Sequence, residues 1–325
     1  MGPMNSRQRA LLNALALLVL TPSLSLAAAS TLPAPASEYG YDIITFESNF
    51  SKETVDMNRT LNRGYKWYLL DLFSHQASAA GVQLNTDGSV TLLGDKPGVA
   101  GSLTSIAPYR GTNTFVGTAF GGGFYVEAVF NFNYAQVSAT HVPGAHLGIP
   151  AFWALPVESV GVHGTNQWPG QPAGYQHNVE FDFFEADYWT KPTAYGMSLH
   201  DWWGIQNVTC TPGLCGLAFQ NPNGERDVPA GTDLTKYHTY GTLWVPATAT
   251  TKGICAAYFD GQLIGHTRNW TQYTNQPPTP VGQTWLFGRI DQQHMFFILG
   301  TGEGQPFNVK SVTVWQKDGT KNLVN

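Results

Sequence analysis

The sequence predicts an all-β protein, a sandwich or barrel of antiparallel strands, and three observations carry that expectation. Apolar residues recur with a period of two, Asp-Gly dipeptides separate pairs of apolar runs, and no window longer than a few turns holds a helical stripe. Composition agrees. The 325 residues include 35 Gly, 18 Phe, 14 Tyr and 10 Trp, yet only 12% are charged, about half the usual ~25%. With 17 basic against 22 acidic residues the net charge is −5. That leaves no basic footprint for nucleic acid, and this partner class is excluded.

The chain opens with Arg7 and Arg9, the apolar run Ala10–Leu20 and the small residues Ala27–Ala29. Basic, apolar, then small is the order of a secretory signal peptide, and the apolar run is too short to span a bilayer. Residues 1–29 are therefore expected to be a signal peptide and 30–39 a linker, with Thr31–Ser37 (TLPAPAS) extended. Residues 40–325 are expected to form a single domain, since no repeat or compositional break follows. Cleavage removes two arginines and no acid, moving the net charge from −5 to −7. The expected product is secreted, extracellular or periplasmic, monomeric, and without stable membrane association.

Along that domain, Val82–Leu84 and Ser89–Leu93 flank Asp87-Gly88, and Cys255–Phe259 and Gln262–Ile264 flank Asp260-Gly261. Both predict hairpins whose central residues take positive φ. Trp67–Phe73 fits either a helical turn or an aromatic-rich buried strand. Phe124–Phe132 places Phe124, Val126, Ala128, Phe130 and Phe132 on one face, and Val309–Trp315 is a β-branched strand. Cys210 and Cys215 enclose a Pro-Gly turn and are expected to form a small disulfide loop, leaving Cys255 a buried thiol in a strand. Asn-x-Ser/Thr sequons begin at Asn49, Asn58, Asn207 and Asn269.

Acidic residues are scarce, yet four fall within Glu180-Phe-Asp182-Phe-Phe-Glu185-Ala-Asp187. Carboxylates side by side in an apolar strand cost desolvation and repulsion. On a regular strand Glu180 and Asp182 share one face and Glu185 points to the other. A one-residue bulge at Phe183-Phe184 would bring Glu185 onto the shared face and send both phenylalanines to the core. Two carboxyls at about 5–5.5 Å suit a retaining glycosidase, one ionised as nucleophile and one protonated as acid. Calcium binding, or a solvated acidic edge, is the plainer alternative, but calcium sites draw on flexible oxygen-rich loops, whereas these acids alternate with phenylalanine. Trp153, Trp168, Trp189, Trp202 and Trp203 surround the acidic run in sequence; flat rings stack on pyranose faces, although about half of the tryptophans are expected in the core.

Pro150-Ala-Phe-Trp-Ala-Leu-Pro156, then Trp168-Pro169, then Glu180-x-Asp182-x-x-Glu185 resembles the central signature of glycoside hydrolase family 16, which includes laminarinases, agarases and carrageenases. Other pieces follow in order. Phe124–Val129 (FYVEAV) is similar to the family's GRFEAR strand, and Tyr195–His200 to the strand that brings in a histidine. Tyr237–Trp244 resembles FHTYAVEW, Phe259-Asp-Gly261 its VDG hairpin, and Pro306–Gln316 its closing strand; Phe296–Gly304 follows the pattern only loosely. The resemblance implies a jelly-roll β-sandwich of two curved antiparallel sheets with a concave substrate cleft. By it, Glu180 is the nucleophile, Asp182 its helper and Glu185 the acid/base. Trp153, Trp168 and His200 line the cleft, and Trp202 is grouped with them as substrate-binding. The implied activity is retaining endo-hydrolysis of a β-linked polysaccharide, with β-1,3-glucan foremost. The alternatives are a non-catalytic carbohydrate-binding jelly roll or a transglycosylase on the same scaffold. No cofactor is expected, although the family allows a structural calcium.

Other chemistries lack their motifs. There is no His-Glu-x-x-His or paired Cys/His spacing for zinc and no Gly-x-Ser-x-Gly elbow, and Gly121-Gly-Gly123 opens no helix. Glu127 is expected to be buried and hydrogen-bonded rather than in the cleft.

Overall fold

The computed structural model describes residues 31–72, 75–94, 101–108, 115–135, 150–160, 175–186, 194–205, 215–220, 225–271, 291, 293–300 and 304–325. The expected signal peptide lies outside them. Leu32–Asn325 form one compact unit, and no helix among the described residues is long and apolar enough to cross a membrane.

Two large sheets pack face to face as a jelly-roll sandwich. One, here the acidic sheet, runs in the order Cys215–Gln220, Ala194–Ile205, Tyr175–Glu185, Ala151–Pro156, Met295–Leu299, Leu103–Thr104, Trp67–Leu69, Val55–Asp56. The other, the back sheet, runs Gln262–Trp270, Gly253–Phe259, His238–Val245, Phe124–Phe132, Gly304–Gln316, Val90–Gly94, Val82–Leu84, with Ile43–Ser48 also on Gly304–Gln316. Pairing is antiparallel except between Val55–Asp56 and Trp67–Leu69, which run parallel.

Alternation decides what fills the interior. Phe124, Val126, Ala128, Phe130 and Phe132 all lie in the main core, as the period of two predicts, while Tyr125 packs on the opposite face with Leu243, Tyr258 and Trp315. Each buried aromatic contributes about 1.5–3 kcal/mol of transfer free energy, and rings from the two sheets touch directly. Phe130 meets Phe184 at 4.7 Å and Phe124 meets Phe183 at 5.8 Å between centroids. Trp67–Leu69 is a buried strand, not a helical turn. Cys255 is a buried free thiol; Cys210 and the Cys215 side chain lie outside the described residues.

Two expectations need correction. The stretch read as an extended linker closes, over Ala34–Glu38, into one helical turn after Pro33. Pro35 near the turn's start has its φ already set for helix, and buried Ala36 docks on the aromatic outer face of the back sheet. At Asp260-Gly261 both residues take positive φ, 47° and 76°, as a tight hairpin demands. At the other Asp-Gly only Gly88 does, at 83°. Asp87 stays in an ordinary conformation because its carboxylate accepts the Ser89 N–H at 3.0 Å and hydroxyl at 2.7 Å, which widens the loop to Asn85–Ser89.

Candidate active site

The acidic strand Tyr175–Glu185 carries a one-residue bulge, visible against both neighbours. Against Ala194–Ile205, Asp182 faces Ser198 but Glu185 faces Gly196, so three steps on one strand match two on the other. Against Ala151–Pro156, Phe184 faces Phe152 while Asp182 faces Trp153. The sequence forces the slip. Keeping a regular register would turn one of two adjacent phenylalanines out of the core, at a cost of about 1.5–3 kcal/mol. With the extra residue both insert. Phe183 packs on Phe152 and Phe181 at 4.9 and 4.7 Å, and Phe184 on Tyr195 and Tyr240, each at 4.8 Å.

Val179, Phe181, Phe183 and Phe184 are therefore buried in the core, and Glu180, Asp182 and Glu185 occupy the opposite face. Cross-strand pairing arranges that face in rows. Glu180 sits opposite His200; Asp182 lies between Trp153 and Ser198; Glu185 lies between Ala151 and Gly196. Glycine at 196 leaves the space beside Glu185 open: a Cβ there would come no closer than 3.9 Å to the glutamate.

Asp182 is the buried member, only 2% exposed, while Glu180, Glu185 and His200 are half-buried. His200 reaches it diagonally, Nε2 standing 2.8 Å from Oδ2. Burial pushes the Asp182 carboxyl up to about 7, opposed by a side-chain hydrogen bond with Glu180. Two carboxyls this close share a proton: burial favours it on Asp182, and the hydrogen bond favours it on Glu180. One ligand atom each from Glu180, Asp182 and His200 lie within 4.8 Å of one another, so this trio could also chelate a cation. The 2.8 Å contact already places the His200 imidazole against one oxygen of this carboxyl.

Trp153 is half-buried beside Asp182 and donates its indole N–H to the Gly300 carbonyl at 3.0 Å. Gly300 was not singled out in the sequence. Its signal is a positive φ of 85° and a position where a Cβ would lie 2.8 Å from the Gly101 carbonyl. Ser198 was also passed over; it faces Asp182 and is buried. Trp168 and Trp189 lie outside the described residues. Trp202 and Trp203 pair by backbone with Asn178 and His177, their side chains lying outside the description, as does Asp187. Glu127 is in the other sheet, where Tyr125 Oη donates to its Oε1 at 2.9 Å.

No protein-family model and no curated protein matches the chain. Similar solved structures include the endo-1,3-β-glucanase of Streptomyces sioyaensis, 16% identical, covering 76% of this chain and 80% of that one, TM-score 0.41. The κ-carrageenase of Pseudoalteromonas carrageenovora, complexed with an oligotetrasaccharide of κ-carrageenan, is 12% identical over 84% and 94%, TM-score 0.43. Peanut lectin is 13% identical over 83% and 95%, TM-score 0.34. At these values the likeness carries neither activity nor substrate across.

Proposed function

We propose that the protein is a secreted retaining endo-glycosidase of the family 16 type, hydrolysing a β-linked polysaccharide, foremost β-1,3-glucan. The observation that supports this reading best is the bulge, which puts Glu180, Asp182 and Glu185 on one face with His200 against Asp182. An acidic strand with no chemical task has no reason to pack three carboxyls onto one face.

In this reading Glu180 attacks the anomeric carbon while Glu185 gives its proton to the departing glycosidic oxygen, leaving a covalent glycosyl-enzyme. Water, deprotonated by Glu185, then attacks the same carbon and frees Glu180. The proton shared by the two carboxyls rests on Asp182 in the reacting enzyme, the position that burial favours, leaving Glu180 anionic and aimed. His200 fixes Asp182 from the other side. Trp153 offers an apolar surface to a sugar ring beside the reacting bond.

Reducing-sugar release from laminarin, agarose, κ-carrageenan and xyloglucan tests the assignment. Hydrolysis of laminarin is expected, with loss of about 10³-fold or more in Glu180→Gln. Full activity in that variant ends the assignment, and binding without release on every polymer makes the protein a lectin. Elongated products would make it a transglycosylase.

A further inference from the structure

Away from the carboxylates, a cavity of about 450 Å³ opens where the Ile43–Ser48 strand, the segment before Trp67 and the C-terminal residues meet. That volume lies within the ~300–1,000 Å³ usual for small-molecule sites. In the order of the acidic sheet, the Trp67–Leu69 strand stands four strand spacings from the acidic strand, roughly 19 Å.

The walls are held by hydrogen bonds, most of them part-buried. Thr45, the extra residue in a bulge of its strand, donates to Gln316 Oε1 at 2.5 Å. Asn322 Nδ2 donates to the same oxygen at 2.7 Å, and buried Gln316 in turn donates to the carbonyls of Gly121 and Gly123 at 3.0 and 2.9 Å. Every polar group of that amide is engaged, so the wall carrying Thr45 and Asn322 is set. Opposite, the half-buried Tyr65 ring is held edge-on against Tyr68 at 6.1 Å and 81°. The Tyr68 hydroxyl donates to the Asn62 carbonyl at 3.0 Å. Lys66 Nζ donates to the Glu47 carbonyl and lies 5.5 Å over the Phe46 ring.

The lining thus joins a fixed aromatic ring with hydroxyl, amide, ammonium and carboxylate groups: Tyr65, Thr45, Thr118, Asn322, Lys66 and Glu47. One acidic and one basic side chain give no preference for an anion. Donors and acceptors around one flat ring suit a molecule with an apolar face and a rim of hydroxyls. We propose that this cavity is a second, non-catalytic carbohydrate site, which takes a neutral pyranose unit of the polymer and tethers the chain while the distant carboxylates act. It rests on the proposed polysaccharide substrate but not on catalysis.

The test is affinity electrophoresis in laminarin gels in the Glu180→Gln background, paired with kinetics in the otherwise unchanged enzyme. Tyr65→Ala removes the ring; Thr118→Trp fills the cavity and leaves the ring in place, so a folding failure of the first does not end the test. Each is expected to weaken retardation about five- to tenfold. Each should raise KM for laminarin by a similar factor, with kcat and kinetics on a short oligosaccharide unchanged. Retardation unchanged in folded variants overturns the site even if the enzyme hydrolyses laminarin. Tyr65-dependent retardation without hydrolysis keeps the site and removes the catalytic reading. Stronger Tyr65-dependent retention on κ-carrageenan than on laminarin overturns the neutral-sugar assignment.

Discussion

Phe124–Phe132 and Tyr175–Glu185 are interior strands of the two facing sheets, and each carries acid through an apolar setting. The first keeps its alternation and places a single carboxyl, Glu127, on the outer face of the back sheet. There Tyr125, two residues earlier, donates to it, and burial raises Glu127 against that hydrogen bond. A buried aromatic cluster and the Ala34–Glu38 turn cover the same face. The second strand gains one residue, and with it a third carboxyl on a face that already had two. Regular pleating isolates an acid beside whatever lies two residues away; a bulge gathers acids that pleating would separate. The same core can therefore back one sealed face and one chemically loaded face.

The strongest perturbation is to delete Phe183. Removing the extra residue restores regular pleating with Glu180, Asp182 and Glu185 still on one face, draws Glu185 one pleat nearer Glu180 and loses a buried ring. About 3–5 kcal/mol should be lost in denaturant unfolding, while the folded variant keeps measurable hydrolysis. Complete loss of hydrolysis in a folded deletion variant would show that the slip does more than decide which face Glu185 occupies.

A middle-sized effect separates the acids by pH. Asp182 holds its proton up to about 7 in the folded chain and releases it near 4 when unfolded. The folded state thus binds the extra proton between these values, so stability falls as pH rises from about 4 to about 7 and then levels. Asp182→Asn removes that dependence. Relative to the parent it should gain up to a few kcal/mol across this window, read by urea unfolding at pH 4 and pH 8, while losing activity. Asp291, also pushed up to about 7 by burial and bonded by Ala247 and Trp270, supplies the control: Asp291→Asn should flatten stability in the same window and spare the chemistry. Equal pH slopes in Asp182→Asn and the parent would contradict a buried, protonated Asp182.

The smallest effect belongs to the back sheet. Glu127→Gln keeps an acceptor for Tyr125 and should leave kcat/KM within about twofold and stability within about 1 kcal/mol. A large loss of activity there would erase the distinction between the faces.

Much of this was legible in the sequence, for identifiable reasons. Two phenylalanines side by side between acids cannot both be buried on a regular strand, so Phe183-Phe184 announced the bulge. The alternation of Phe124–Phe132 announced its own buried face. What stayed hidden depends on partners distant in the chain. His200 and Asp182 meet diagonally across two strands, and Gly300 matters through the indole of Trp153, 147 positions earlier. The Ala34–Glu38 turn forms because the Tyr41, Tyr125 and Trp315 cluster receives Ala36, which local composition does not encode. Asp87 differs from Asp260 through the hydroxyl of Ser89.

The most direct measurement traps the glycosyl-enzyme with an activated 2-deoxy-2-fluoro glycoside of a β-1,3-linked disaccharide and maps the label by peptide mass spectrometry. The account predicts one sugar adduct on Glu180, absent in Glu180→Gln. An adduct on another residue, or turnover of laminarin with inverted anomeric configuration and no adduct, would contradict it.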